Sequence, residues 1–330
     1  MSSRPRVAII DSTENTYVHS PDVETGVLGN CAEIALLRVA SEEALAAAGL
    51  EEFAGVISWH SIPLGRETLF RLSRCRVVVR AAVGFDNIDT VEAARLALPV
   101  CNVPDYGTEE VADHTIAMLL ALTRRLVPVD AASKRGRWDW RVAGNIRRLR
   151  GSTLGIVGFG RIGSAVARRA SPFGLNVVFF DPYVPSGTEK AHAVSRVRTL
   201  AELIDRADVV SIHVPLTLET RHMFGIEQFT RMNPQKILLN TSRGEVIEQK
   251  SLLAALREGR LRTVGLDVLE GEPRVPRELA DHEDLLLTSH SAFYSEAGLQ
   301  ELREKAAVIV RDALVSGVLR NSVNGVGAPR

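Results

Sequence analysis

The sequence predicts an α/β protein with largely parallel sheets, organised as two domains. Three observations carry that reading. Short β-branched runs alternate with longer helical stretches along most of the chain. One of these strand-to-helix junctions bears the spacing G-x-G-x-x-G at Gly158, Gly160 and Gly163. At 330 residues, 45% of them apolar, the chain is long enough for two domains that each bury a core.

Taken in order, the first hundred residues offer strands at 7–10, 56–59, 77–81 and 100–103. Residues 109–126 contain neither Gly nor Pro, and Val111, Ala112, Ile116, Leu119, Leu120 and Leu122 recur at helical spacing. A helix of that length would run about 27 Å. The basic, Trp-containing stretch 134–150 has no period and reads as an irregular arm. From residue 152 the alternation strengthens, with strands at 154–157, 177–180, 209–214, 237–240, 264–268 and 285–287. Helices are expected at 161–170, 252–257 and 296–315. The expected division is a dinucleotide-type domain over 104–290 and a second domain from 1–103 plus 291–330.

Composition excludes several classes of function. Forty basic residues balance forty acidic ones, so no excess of charge draws the chain to nucleic acid or to an anionic membrane. No apolar run approaches the roughly 20 residues of a membrane helix. The N-terminus passes from Met1 through Pro5 directly to a strand-like run, without the apolar core of a signal peptide. Cys31, Cys75 and Cys101 are odd in number and widely spaced, which indicates neither a disulfide framework nor a structural zinc site. The expectation is a cytoplasmic protein. His19, His114, His192, His222 and His282 show no metal-ligand spacing, so no metal is expected, and His213 reads as a satisfied residue near a strand end.

The glycine-rich turn carries the first chemical signal. Gly158 permits a tight turn, Gly160 lets a pyrophosphate approach the backbone, and Gly163 lets helix and strand pack closely. Amides at the helix start, around Phe159, Arg161 and Ile162, then suit phosphate. Asp181 lies eighteen residues after Gly163 at the end of the 177–180 strand, where a carboxylate would accept hydrogen bonds from an adenosine ribose. Asp181-Pro182 could also simply open a turn. A carboxylate there repels a 2′-phosphate, and no arginine directly follows it, so NAD is favoured over NADP.

Further motifs resemble a known family. Asn240-Thr241-Ser242-Arg243-Gly244, Gly265-Leu266-Asp267-Val268 leading to Glu272-Pro273, and Thr288-Ser289-His290 occur in the order found in NAD-dependent D-2-hydroxyacid dehydrogenases. Residues 79–89, 101–104, 180–183 and 290–296 bring the likeness nearer to the C-terminal-binding-protein branch. The likeness runs from about Val56 to Asn324. It implies two Rossmann-like domains, one flavodoxin-like and one dinucleotide-binding, with the active site in a cleft between them.

The resemblance also implies roles. His290 would be the general acid in reduction and the general base in oxidation, with Glu272 hydrogen-bonded to it and favouring the charged ring. Arg243 would bind the carboxylate or carbonyl oxygen of a small 2-oxo or 2-hydroxy acid, which its planar fork suits. Val214, Pro215, Thr220, Thr241, Ser242 and Asp267 would line the cofactor, Asp267 on its nicotinamide side. Arg80, Val83, Gly84, His60 and Phe293 would line the substrate, although Arg80 reads equally as a charge at a strand edge. Phe293 stands where the branch carries Trp, and Ser289 where Pro usually precedes the catalytic His. Family members pair into homodimers through the segments matching 109–126 and 134–150. Two other functions share these motifs. One is an NAD(H)-sensing corepressor-like binding protein, disfavoured by a chain that ends a few residues after Asn324 without a long tail. The other is oxidation of phosphite or a phosphonate.

Overall fold

The computed structural model describes residues 4–329, so Met1–Ser3 and Arg330, including part of the N-terminal run read above, lie outside the described residues. It divides into two compact units, Met1–Gly107 with Ser295–Arg330, and Thr108–Tyr294. Both crossings fall at the start of a helix, Thr108–Thr123 and Glu296–Val315.

The first unit is built on a five-stranded sheet of β1 (Arg6–Ser12), β2 (Glu33–Val39), β3 (Phe53–Ser58), β4 (Val77–Arg80) and β5 (Val100–Asn102). The order is β2-β1-β3-β4-β5 and every pairing is parallel, the flavodoxin-like arrangement. Parallel strands are covered on both faces, and Val7, Ile9, Ile57, Val78 and Val79 are accordingly fully buried. Each such side chain contributes roughly 1.5–3 kcal/mol of burial. The helix Glu296–Val315 returns to this unit, where Arg303 pairs through Nε and Nη2 with both carboxylate oxygens of the fully buried Glu24, at 2.9 and 2.6 Å.

Strand β2 is absent from the sequence expectation. Its run Glu-Ile-Ala-Leu-Leu-Arg-Val is rich in helix formers. It becomes a strand because seven residues register one-to-one against β1, from Arg6↔Glu33 to Ser12↔Val39, and pairing at a sheet edge outweighs local propensity.

The second unit holds β6 (Thr153–Val157), β7 (Asn176–Phe180), β8 (Ser195–Arg196), β9 (Val209–Ile212), β10 (Ile237–Asn240), β11 (Thr263–Leu266) and β12 (Leu285–Leu287). Their order, β12-β11-β10-β9-β6-β7-β8, is wholly parallel and reverses direction between β6 and β9. This is the doubly wound dinucleotide-binding topology, and its switch point lies directly after β6. The helix expected over 109–126 is in fact two, Thr108–Thr123 and Leu126–Lys134, broken at Arg125 with φ 50°. Pro128 explains the break, because in a continuous helix its ring would strike the carbonyl of Arg124. Within the expected arm, Trp140–Ala143 forms a single 3₁₀ turn opened by the Asp139 side chain on the amide of Arg141. Among the described residues no helix is long and apolar enough to cross a membrane.

Candidate active site

Because every strand of the second unit points the same way, the ends of β6, β7, β9, β10, β11 and β12 open on one edge of the sheet. Most of the second unit's sequence-predicted site residues stand on or just beyond that edge; Thr220, Glu272 and Phe293 lie farther along the loops that leave it, and Gly163 lies in the helix after β6. A cavity of about 520 Å³ lies at the opposite edge, among Arg125, Arg147, Arg148, Arg262, Asp208 and Asp284, where strands begin rather than end. It is separate from the site described here.

The glycine turn after β6 has a distinct steric reason at each position. Gly158 has φ 90°, and a Cβ there would lie 2.7 Å from the carbonyl oxygen of His213 and 2.8 Å from Val214. At Gly163 a Cβ would come within 2.1 Å of the Gly158 oxygen, which is how closely the helix Arg161–Ala170 approaches the turn. Gly160 is different: a Cβ added there meets nothing within 4 Å. The space over Gly160 is a cradle that one methyl group would partly fill. Gly160 is also the N-cap and brings no side chain, so the first amides of that helix, including Arg161 and Ile162, point outward without intrahelical acceptors. Open space beside oriented amides fits a dinucleotide's pyrophosphate.

Asp181 follows β7 and ties this turn to its neighbour. Its Oδ2 accepts from the Phe159 amide at 2.8 Å, and Oδ1 accepts from the amides of Tyr183 and Val184 at 2.8 and 3.3 Å. The Phe159 ring itself stacks on Phe179 at 4.1 Å and is buried, so this residue serves the turn through its backbone. Arg196, the nearby cation, spends Nη2 on the carbonyls of Asp181 and Val184 at 2.9 and 2.6 Å. Tyr183 reaches over to hydrogen-bond Glu219, whose carboxylate raises the phenol's pKa. In the loop after β9, which carries Val214, the Thr220 hydroxyl donates to the Pro215 carbonyl and accepts from the Thr217 amide, fixing the loop.

His213, just after β9, keeps Nε2 2.8 Å from the Ser211 hydroxyl, and burial pushes its pKa down to about 3, so the ring is neutral.

Beyond β10 the chain turns sharply through Thr241 and Ser242 to Arg243. Asn240 staples the turn: Oδ1 accepts from the Ser242 amide and hydroxyl at 3.0 and 2.8 Å, and Nδ2 donates to the Arg243 carbonyl at 2.9 Å. The sequence reading gave Asn240 no role, though Asn two residues before Ser is an Asx-turn signal. Thr241 pairs its hydroxyl with that of Thr115 at 3.0 Å. Arg243 extends Nη1 to the Ser242 carbonyl at 2.8 Å.

His290 and Glu272 meet directly, Nδ1 to Oε1, at 2.6 Å. Arg243 is coupled to that pair through Gly244, whose Cβ position lies 1.9 Å from the Leu269 carbonyl carbon and 2.3 Å from the Glu270 nitrogen. Backbone therefore presses on backbone, and the arginine loop is locked to the loop that presents Glu272. His222 and Glu270 add a further tie at 2.6 Å, and Glu270 Oε2 accepts from the Gln249 amide. Burial and these hydrogen bonds oppose one another on the Glu270 carboxyl, with a net lowering of its pKa. The Phe293 ring stands edge-on to the His290 ring, centroids 6.4 Å apart. Asp267, which the resemblance assigns to the nicotinamide, is 2% exposed and carries three donors: the Thr288 hydroxyl and the amides of Ser291 and Ala292.

The first unit has its own polar cluster at the end of β4. Arg80 is 2% exposed, yet Nε donates to Asn87 Oδ1 at 2.7 Å, Nη1 to the Ala81 carbonyl at 3.0 Å, and Nη2 lies 2.9 Å from His60 Nδ1. A guanidinium can only donate, so His60 Nδ1 accepts and the ring proton sits on Nε2. Arg80 is thus no strand-edge surface charge. The Val83 carbonyl, beside Gly84, accepts from Asn102 Nδ2 at 2.6 Å, which shapes the loop after β4.

Comparison with known proteins agrees with this fold. The profile of the NAD-binding domain of D-isomer specific 2-hydroxyacid dehydrogenases matches residues 116–292. A glyoxylate reductase of Korarchaeum cryptofilum is 41% identical over 267 residues, covering 79% of this chain and 78% of that protein. A D-3-phosphoglycerate dehydrogenase of Methanocaldococcus jannaschii is 37% identical over 258 residues, covering 78% of this chain. The match takes in 48% of that protein, so the chain spans about half its length. Among solved structures, the holo form of Rhodotorula graminis D-mandelate dehydrogenase superposes with a TM-score of 0.89 at 27% identity, covering 99% of each chain. D-lactate dehydrogenase of Aquifex aeolicus, complexed with NAD and lactic acid, gives 0.84 at 28% identity over 97% of this chain and 99% of that one.

Proposed function

The chain belongs to the D-isomer specific 2-hydroxyacid dehydrogenase family, oxidoreductases that interconvert 2-oxo and 2-hydroxy acids with a nicotinamide dinucleotide, and we propose that it reduces a small 2-oxo acid with NADH as the preferred cofactor. The observation that carries this reading is the 2.6 Å pair of His290 and Glu272, with Arg243 locked to the same loop through Gly244. When bound, the cofactor supplies the hydride. Arg243 holds the substrate's carboxylate or carbonyl oxygen by its charged fork. Glu272 fixes Nδ1 of His290, so Nε2 is the atom that delivers the proton to the nascent alkoxide and takes it back in oxidation. Thr241, Ser242, Val214, Pro215 and Thr220 line the dinucleotide in this proposal, and Arg80, His60, Val83, Gly84 and Phe293 shape the substrate side.

Preference for NAD is supported by the Asp181 carboxylate, by Glu219 behind Tyr183, and by the commitment of Arg196 to backbone carbonyls. A homodimer is part of the proposal. Trp138 and Trp140 are 91% and 79% exposed, and a second copy would cover them, which sedimentation checks. Three cysteines without a disulfide support a reducing, cytoplasmic setting. The finer likeness to the C-terminal-binding-protein branch rests on motifs such as 290–296 and keeps a second reading, NAD(H) sensing without turnover. NADH oxidation against a panel of 2-oxo acids separates the two. In the enzyme, His290→Gln lowers kcat by about 10²–10⁴-fold with NADH affinity retained. Retained turnover in that variant refutes the assignment.

A further inference from the structure

The turn that presents His290 is held by a dense set of hydrogen bonds to Leu266 and Asp267. The His290 amide donates to the Asp267 carbonyl at 2.7 Å, and the Thr288 amide to the Leu266 carbonyl at 3.0 Å. The Asp267 carboxylate gathers the rest: Oδ1 accepts from the Thr288 hydroxyl at 2.5 Å and the Ser291 amide at 2.9 Å, Oδ2 from the Ala292 amide at 3.0 Å. Four of the five residues from 288 to 292 are thereby tied to Leu266 and Asp267. These bonds hold His290 at φ 53°, a left-handed conformation that is uncommon for residues other than glycine.

The chain of donors goes one step further. Thr288 has a single hydroxyl proton and spends it on Asp267, so its oxygen can only accept from the next neighbour. That neighbour is Nε2 of His114, 3.0 Å away on the helix Thr108–Thr123 and 3.7 Å from Asp267 Oδ1. Nε2 of His114 must therefore carry a hydrogen. Donation runs in one direction, from His114 to Thr288 to Asp267, and Asp267 then orders the backbone on either side of His290. In the sequence His114 is one of several histidines without a motif.

We propose that His114 is a positioning residue for proton transfer, acting through Thr288 and Asp267 to hold His290 in register with Glu272. The proposal rests on His290 being the proton-transfer group. His114 and Thr288, the residues to be varied, hydrogen-bond neither the glycine turn nor Asp181, and their replacement leaves Asp267 itself in place, so the proposal predicts damage to chemistry with cofactor binding intact.

The experiment uses four variants of the full chain with His290→Gln as reference, reading kcat, the dissociation constant for NADH, and the solvent deuterium isotope effect on kcat. Thr288→Val keeps the shape and removes the hydroxyl; His114→Leu removes the donor. Both are expected to lower kcat about 10- to 100-fold, leave NADH affinity within twofold, and raise the isotope effect as proton delivery becomes limiting. Thr288→Ser and His114→Gln, which keep a hydroxyl and an N–H donor, are expected to stay within about threefold of the parent. If His290→Gln is inactive while Thr288→Val and His114→Leu turn over normally, the positioning role is wrong. A fall in kcat matched by equal loss of NADH affinity, with an unmoved isotope effect, also overturns it in favour of general support of the fold. Turnover retained in His290→Gln would instead sink the underlying reading. If Thr288→Val fails to fold, His114→Leu, on a side chain about one-quarter exposed, decides the question alone.

Discussion

Gly160→Ala separates the cofactor reading of the glycine turn from a purely structural one. The added methyl meets nothing of this chain within 4 Å, and the backbone at φ −79° and ψ −155° is open to alanine. Two small terms act on stability with opposite signs. Replacing glycine restricts the unfolded chain and stabilises by about 0.4–1 kcal/mol. Alanine is a poorer N-cap than glycine and costs a comparable amount. The net is within about 1 kcal/mol, a shift in Tm under about 4 °C. Binding responds differently. The methyl occupies the place where a pyrophosphate oxygen would approach the amides of the helix Arg161–Ala170, and each hydrogen bond to a charged group lost there costs about 1.5–3 kcal/mol. The expected result is a roughly 10- to 100-fold weaker NADH dissociation constant at an almost unchanged Tm. Fluorescence titration and a thermal melt measure the two. Affinity within twofold of the parent would refute the pyrophosphate cradle, and a melt lowered by more than about 8 °C would refute the claim that the space is open.

Two other perturbations probe the remaining geometry. Gly244→Ala drives a methyl into the Leu269 carbonyl, so the arginine loop must move relative to Glu272; kcat/KM is expected to fall by about 10²-fold, and steady-state rates near the parent's would show that the loops are not locked. His213 has its pKa pushed down to about 3 by burial, so below pH 6.5 the unfolded chain takes up a proton that the folded chain refuses. Stability is complete above that pH and declines as pH falls toward 3, by at most about 2 kcal/mol at pH 5 from this residue. Denaturant unfolding at pH 7 and 5 should show a smaller difference in His213→Gln, and an equal difference would exclude His213 as the source.

What the sequence discloses depends on how local its cause is. The glycine turn is legible because each glycine answers a constraint within a few residues: the φ of 90° at Gly158 and the 2.1 Å approach of Gly163 to the Gly158 oxygen. Asp181 is legible for the same reason, since strand length fixes its distance from the turn. β2 is hidden because its residues favour helix and only pairing with β1 makes it a strand. The helix break at Arg125 was recoverable from Pro128, whose effect reaches four residues back. The link from His114 to His290 spans separate elements and leaves no spacing to read.

The same contrast explains how a site can be spread from Gly158 to His290 and still be tight. A wholly parallel sheet delivers its seven strand ends to one edge, six of them leading into residues of the site, but it fixes their side chains no better than the loops that follow. The final precision comes from short-range polar ties within and between those loops. Asn240 closes the turn of Arg243, Asp181 holds the Phe159 amide, and Asp267 gathers the residues around His290. Each tie is buried or half-buried, so breaking one leaves an unsatisfied group at a cost of about 1–3 kcal/mol. That cost is enough to keep a left-handed histidine and a guanidinium loop in single conformations. It follows that Asp267 and Asn240 should matter to the reaction nearly as much as the groups that touch substrate, although neither needs to touch it.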